Sequence, residues 1–338
     1  MLQFNTEQQT VISTARASFN ARQTAIAANS MFADSFGDGI TGNAAQVPLD
    51  AWRRIDTESV KIQRDILAVF NRLAAAKSTP VAMGDLVSFF PKISDSGEVH
   101  VSMDGRSEGR EDQAVIKYEG TPVPILDSYA RFGWRQMEVM RKGAGSMDVD
   151  TIANHQRKVA EKMEDMALNG LPSIVVGGST IYGLRTFPQR GTDTHGLDLN
   201  GATGAQWLTA ISKVIYKAIG QNAYGKVTIF LNYTDFTYAD LNEFVAGYPK
   251  TILQRMREIS NVAEFVPCSR VPVNELLGVV DIGSGKWGSI LSGMPMVTRP
   301  KMRHNPEDDY VMGVMAAVAP QFKSDFDGKS QIVQITKS

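Results

Sequence analysis

Cysteine is nearly absent from this 338-residue chain. Cys268 stands alone, so no intrachain disulfide can form, and with only four scattered histidines a structural zinc site lacks ligands. That usage suits a reducing cytoplasm. Excess charge of either sign is missing as well. Lys and Arg total 35 against 36 for Asp and Glu, a formal net charge of −1, whereas a dedicated nucleic-acid reader is visibly basic. No run approaches the roughly 20 apolar residues of a membrane-spanning helix. The opening MLQFNTEQQTVISTARASF has no basic head followed by an apolar block, so it does not read as a secretory signal, and no removal of an N-terminal segment is expected.

Catalytic and cofactor signatures are also wanting. GDGITGNAAQ (37–46) and VVGGSTIYG (175–183) contain glycines without the GxGxxG or GxxxxGKS spacing that cradles a phosphate, so turns account for them. His155 has no second ligand at helical spacing, which leaves no HExxH site. His304 in RHNPEDDY lies beside Glu307, Asp308 and Asp309, yet adjacent carboxylates in a proline turn seldom converge on one ion. Cys268 in VPCSRVP has no neighbouring His and reads as a small apolar residue. Neither GxSxG nor SxxK occurs. The expectation is a protein that is not an enzyme and holds no cofactor or metal.

What is present is 43% hydrophobic and 21% charged, ordinary for a globular chain long enough for a filled core. Residues 1–50 carry no strong apolar stripe and read as an arm ending in a glycine loop. From Asp50, Trp52, Ile55, Ile62, Ile66, Val69 and Leu73 recur at three- and four-residue steps, predicting an amphipathic helix that stops before Pro80. In 83–126, Val99, Val101 and Met103 alternate with polar neighbours as in a half-exposed strand, and 114–118 reads as the returning one. The charged MDGRSEGRED lies between them. Such a hairpin has little core of its own and is marginal alone, so it is expected to lie on something else.

Residues 147–170 form the clearest helix, with Ile152, Val159, Met163 and Met166 on one face. Glu161, Lys162, Glu164 and Asp165 are placed on the polar remainder, and Asn169-Gly170 supplies the stop. A loop is expected over 171–204. Trp207, Ile211, Val214 and Ile215 then mark a helix, and VTIFL (227–231) a strand. Further helices are read around 238–244 and 251–260, and strands at 263–267, 276–282, 311–320 and 331–336. Helices alternating with strands indicate a mixed α/β region over about 205–295.

Three stretches, in order, resemble one family. They are TPVPILDSYARFGWRQMEVMRKGAGSMDVDTIANHQRKVAEKMEDMALNG (121–170), STIYGLRTFP (179–188), and VTIFLNYTDFTYADLNEF running on to TILQRMREIS (227–260). Within the first, Phe132-Gly133-Trp134, Asp148 to Asp150, Glu164-Asp165 and Asn169-Gly170 carry the likeness. The family is that of tailed-phage major capsid proteins of the HK97 fold and the related encapsulins. The resemblance covers about residues 50–338.

The resemblance implies an α+β HK97-like fold. Residues 1–50 would be the N-terminal arm, 51–82 a helix and link, and 83–126 the extended hairpin (E-loop). Residues 127–200 with 296–338 would form the peripheral domain around a long spine helix, and 201–295 the axial domain. It further implies a structural subunit of an icosahedral head enclosing double-stranded DNA, assembled in the host cytoplasm and resident in the virion. Partners would be hexamers and pentamers of the same chain, a portal, scaffolding or decoration proteins, and packaged DNA bound without sequence specificity, with no membrane. Arg106, Glu108, Arg110, Glu111 and Asp112 of the E-loop would meet a neighbouring copy, and Arg303, Asn305, Glu307 and Asp308 would lie near three-fold contacts. Some members form an intersubunit Lys–Asn bond, and Lys92, Lys117 and Asn305 are residues of those types here. No long coiled-coil delta domain precedes the fold. An encapsulin compartment shell is the alternative within this fold, and a soluble α/β enzyme is the alternative outside it.

Overall fold

The computed structural model describes residues 68–97, 99, 103, 113–139, 149–247 and 249–337, together with Ala17. The predicted arm and the front of the predicted helix, Trp52 to Ile66, lie outside the described residues. In chain order the elements are α1 (Ala68–Ala76), β1 (Ser78–Pro80), β2 (Val87–Ile93), β3 (Ile116–Pro122), β4 (Ile125–Phe132), α2 (Trp134–Val139), α3 (Val149–Asn169), β5 (Leu171–Val176), β6 (Ser179–Ile181), β7 (Gly191–Thr194) and α4 (Gly204–Gly220). They continue as β8 (Val227–Leu231), α5 (Tyr233–Leu241), α6 (Ile252–Arg257), β9 (Val262–Pro267), β10 (Leu276–Val280), β11 (Gly288–Pro300), β12 (Tyr310–Phe322) and β13 (Ile332–Thr336). The chain forms two compact units. One takes its described residues from Asp127–Arg157 and Val297–Met315, the other from Gln63–Leu126, Lys158–Met296 and Ala316–Ser338.

The larger unit is built on a five-stranded sheet in the order β7-β13-β10-β8-β9. VTIFL of β8 and LLGVV of β10 are buried at every position. Continuous apolar strands, rather than alternating ones, are what a sheet covered on both faces requires. α4 lays Trp207, Ile211, Val214 and Ala218 into this core. Its start is fixed by a capping box between Thr203 and Gln206, and the indole of Trp207 donates to Leu199 O at 3.1 Å. α5 begins at Tyr233, ahead of the expected 238. Asn232 takes an extended conformation and accepts from Thr234 N at 2.8 Å, giving the chain an N-cap there.

Two sequence expectations are corrected here. The span 171–204, read as loop, holds β5, β6 and β7, because Gly177 and Gly178 both take positive φ and close a tight hairpin after Val175-Val176. The tail ends in β13, which pairs antiparallel with β10 and parallel with β7. All-buried IVQI suits that interior place. Glu164, placed on the polar face, is fully buried.

The burial of Glu164 has a local cause. Its Oε1 and Oε2 accept the backbone N–H groups of Val69 and Phe70, each at 2.9 Å, in the first turn of α1, where no carbonyl of the described helix can reach them. The Cys268 thiol adds a bond to Oε1 at 3.4 Å. Burial lifts the Glu164 carboxyl above its ordinary value, against the pull of these donors and of Arg270. The same burial, with the Glu164 charge beside it, pushes the Cys268 thiol up to about 11.

The far end of α3 is closed by the IYGLRT stretch. Met166 O accepts from Gly170 N, Ala167 O from Leu184 N, Leu168 O from Arg185 N and Asn169 O from the Thr186 hydroxyl. All four carbonyls that a helix leaves open at its C-terminus are thus satisfied. The approach is so close that a Cβ on Gly183 would lie 2.4 Å from Leu168 O and Gly170 N. Behind this contact runs a polar chain. Arg185 bridges Asn169 and the buried Glu275, whose Oε1 also accepts from Gln334, and Arg190 in turn donates to Gln334. Loop, helix and sheet are locked together by groups that are each paired, as buried polar groups must be.

The smaller unit gathers Ala130 and Phe132 of β4, Ile152 of α3 and Met312 of β12, with Met137 and Tyr310 packed alongside. Gln156 donates to Thr298 Oγ1 at 2.9 Å, and His155 Nδ1 is 2.6 Å from the Ser128 hydroxyl, so this histidine is held by a side-chain hydrogen bond.

Two predictions follow from α3. Glu164→Ala strands two buried N–H donors and should cost roughly 2–4 kcal/mol in denaturant unfolding. Glu164→Gln keeps one accepting oxygen, turns an NH2 donor toward the other backbone N–H, and removes the titration. Because the folded value of Glu164 is raised, its contribution is greatest below its ordinary value of 4.5 and is lost as pH rises through the folded value, so Gln at this site should flatten that slope. Gly183→Ala forces backbone apart and should lower stability by about 2 kcal/mol or more, read as a shifted melting temperature.

Candidate assembly surface

β2 and β3 pair antiparallel in unbroken register from Val87↔Pro122 to Ile93↔Ile116. The described outgoing strand is therefore 87–93; of the predicted 99–103, residues 100–102 lie outside the described residues. Val99 and Met103 belong to no strand and are fully exposed. Period-two alternation was misleading because VSFFPKI carries apolar residues on both faces, which conceals its own period. The returning strand runs to Pro122, past the predicted end at Tyr118.

The two faces differ sharply. Inward, Phe90 is buried and the Lys92 ammonium, also buried, donates to Glu119 Oε1 and to the Ser324 hydroxyl at 2.5 Å. Gln321 Nε2 donates to Ser88 O at 3.1 Å, and Lys117 lies 4.6 Å from the centre of the Phe326 ring. These contacts fasten the base of the hairpin to its own unit. Outward, Phe89 (63% exposed), Pro91 and Ile93 stand beside Ile116 and Tyr118 (68% exposed). Phe89 lies over Gly120, where a Cβ would come within 2.7 Å of its ring. Three large apolar residues and a tyrosine facing water on one two-stranded ribbon form a contiguous patch of the kind that marks an interaction surface.

The charged residues expected to serve this surface, Arg106, Glu108, Arg110, Glu111 and Asp112, lie outside the described residues. Lys92 is committed to Glu119 and Ser324 in this conformation, so its amine is not presented to a neighbour's Asn. Composition had pointed to the charged tip, whereas the described hairpin is distinguished by its apolar face. Counting Phe89, Ile93, Ile116 and Tyr118 as one face required the register, which sequence does not supply.

Arg303, Asn305, Glu307 and Asp308 lie together in one exposed turn of the smaller unit. Asp308 Oδ2 accepts from His304 N at 3.1 Å and from Asn305 N at 2.8 Å, and Asn305 O accepts from Asp308 N. The Asn305 amide leads the donors that hold the Asp308 carboxyl below its ordinary range. Arg303 donates to Pro306 O and stacks 4.0 Å from the centre of the Tyr310 ring. Asp309 accepts from Trp134 N at 3.3 Å and stands 4.0 Å from Arg131. The carboxylates thus point to different partners, and no group of three possible metal ligands occurs among the described residues.

A family model described as "Family of unknown function (DUF6260)" matches residues 43–335. The chain belongs to this family. No curated protein matches it by sequence. Among solved structures, the virus-like particle from Pyrococcus furiosus superposes with a TM-score of 0.60 at 12% identity, over 85% of this chain and 100% of that one. The capsid of Myoviridae phage XM1 gives 0.62 at 11% identity, over 80% and 91%. Mycobacterium phage Bobi gives 0.55 at 13%, over 78% and 89%. At such identities the likeness defines the fold. The chain has the α+β, HK97-like capsid fold.

The latch under the hairpin can be tested directly. Lys92→Met leaves Glu119 without its buried partner and should cost about 1–2 kcal/mol, less than a fully enclosed pair because Glu119 is partly exposed. Hydrogen exchange should show the amides of 87–93 and 116–122 opening faster, with those of β8 and β10 unchanged.

Proposed function

We propose that this chain is the major capsid subunit of a tailed bacteriophage, self-assembling into the icosahedral head around a double-stranded DNA genome. The observation that carries the reading is the hairpin β2–β3, anchored on one face and exposing Phe89, Ile93, Ile116 and Tyr118 on the other, in a chain of capsid fold. Exposing this much apolar area costs free energy in a monomer, and a second copy is the occupant that the fold suggests. Residues 83–126 serve as the E-loop in this reading. The turn at Arg303, Asn305, Glu307 and Asp308 serves a three-fold contact, with the charges Arg106, Glu108, Arg110, Glu111 and Asp112 steering the encounter. Individual exposed ion pairs contribute only about 0–1 kcal/mol, so burial of the apolar face supplies the affinity and repetition around a closed ring makes the shell stable.

The domain division follows the same reading. The spine helix α3 belongs to the peripheral domain, with 127–200 and 296–338, and the stretch 201–295 forms the axial domain, whose strand β10 pairs with the tail strand β13. The near-neutral composition suits a wall that meets packaged DNA without reading it. Host-cytoplasmic assembly, residence in the virion, and engagement of a portal and scaffolding or decoration proteins complete the proposal. The subunit acts structurally and performs no catalysis.

Expression of the full chain should give shells that sediment far ahead of a 37.0 kDa monomer and appear as closed particles by electron microscopy. Phe89→Asp combined with Tyr118→Asp should leave the fold intact by circular dichroism and abolish closed shells. A wild-type chain that remains monomeric at all concentrations and salt strengths would overturn the reading. Particles filled with a protein cargo instead of DNA in the native source would favour the compartment alternative.

A further inference from the structure

Between β7 and α4 the chain runs through a short connection, 195–203. His195 opens it and is buried. Each ring nitrogen has a partner that fixes its protonation. The backbone N–H of Leu197 donates to Nδ1 at 3.0 Å, so this nitrogen carries no proton. Nε2 lies 3.0 Å from Asn274 O. A carbonyl only accepts, so Nε2 carries the hydrogen. Two separate contacts thus require the same neutral tautomer.

The connection is pinned around this ring. His195 N and Gly196 N donate to Thr336 O and Lys337 O at the end of β13, at 2.9 and 3.0 Å. Asn274, left-handed at φ +64°, accepts from Leu199 N on its Oδ1 at 2.6 Å. Its own N–H donates to Oδ2 of the buried Asp235 of α5 at 2.7 Å. Leu199 O in turn accepts from the Trp207 indole. The charges that bear on the ring are cations. Lys213 of α4 donates to Thr194 O at 2.7 Å, Lys337 pairs with Asp198 at 3.2 Å, and both oppose a charge on His195. The nearby carboxylates are turned elsewhere: Asp193 to Thr194 N, Asp198 to Lys337, Asp235 to Asn274 N, and Glu275 to Arg185 and Gln334. Among the described residues no carboxylate accepts from the ring. Burial holds the imidazole below its ordinary value of 6.5, against the pull of the Asn274 carbonyl and with the help of both lysines.

We propose that His195 is an acid-operated clasp: a proton on Nδ1 sets two N–H groups against each other at Leu197 and releases residues 196–199 from Asn274, loosening the Trp207 indole with them. Turning the ring over gives no relief, because both nitrogens of an imidazolium are donors. The clasp is complete above pH 6.5, the ordinary value, and is lost as pH falls through the lower value of the folded state. It lies within the larger unit and goes beyond the capsid reading, on which it does not depend.

The test is amide hydrogen exchange of the full-length chain from about pH 7.5 to pH 5, expressed as protection factors so that the intrinsic pH dependence of exchange cancels. In the wild type, protection over 196–199 should fall by up to about tenfold per pH unit below 6.5. Protection of β8 should stay within about twofold over the same range. His195→Asn offers Leu197 an acceptor that takes no proton, so its protection over 196–199 should no longer vary with pH relative to β8. Should that variant fail to fold by circular dichroism, the wild-type contrast between the two segments decides alone. Wild-type protection over 196–199 that follows β8 throughout, or a folded His195→Asn chain that keeps the acid loss, would overturn the clasp. Neither outcome touches the capsid reading, which stands or falls on whether the wild type forms shells.

Discussion

A carboxylate without water around it organises the larger unit. Glu164 gives up hydration to serve the first turn of α1, binding the amides of Val69 and Phe70, and Cys268, just past β9, donates to it from the other side. Two segments far apart in sequence are thereby fixed to one point on α3. An ionised group so placed is tolerated only because each of its oxygens is bonded, which makes the geometry around it strict. Apolar packing alone would let α1 slide, whereas two directed bonds to consecutive amides do not.

From that point the fold is propagated by α3. Its C-terminal carbonyls are taken up one by one by residues 170 and 184–186, and the Arg185–Glu275–Gln334 chain carries the fixation into β10 and β13. The glycines at 170 and 183 are needed because two backbones touch there. The short motif that ties this chain to a family by resemblance is therefore a helix-closing device, and its residues are accounted for without any chemistry at a substrate.

This internal rigidity sets off what the unit leaves unfinished. The hairpin is held from below by Lys92 and exposes Phe89, Ile93, Ile116 and Tyr118 above. A rigid subunit with unfilled apolar surfaces suits assembly, since ordering costs are met on folding and little is left to order on association.

How much of this was legible beforehand depends on the range of the interaction concerned. Local periodicity located VTIFL as a strand, α4 by its Trp207–Val214 stripe and α3 nearly to its ends, because helix and strand periods follow from backbone geometry acting over a few residues. Turn chemistry gave the Asn169-Gly170 stop for the same reason, and a single cysteine leaves no intrachain disulfide. Only tertiary structure decided that Glu164 is interior, that the hairpin pairs through 87–93 and that β13 joins β10. Each depends on which distant segment arrives opposite, and a glutamate among Lys162 and Asp165 has no local signature telling a buried acceptor from a solvated charge. The exposed face was hidden likewise: an apolar residue in a strand is core or contact according to what covers it, and that is settled by register and packing against segments distant in sequence.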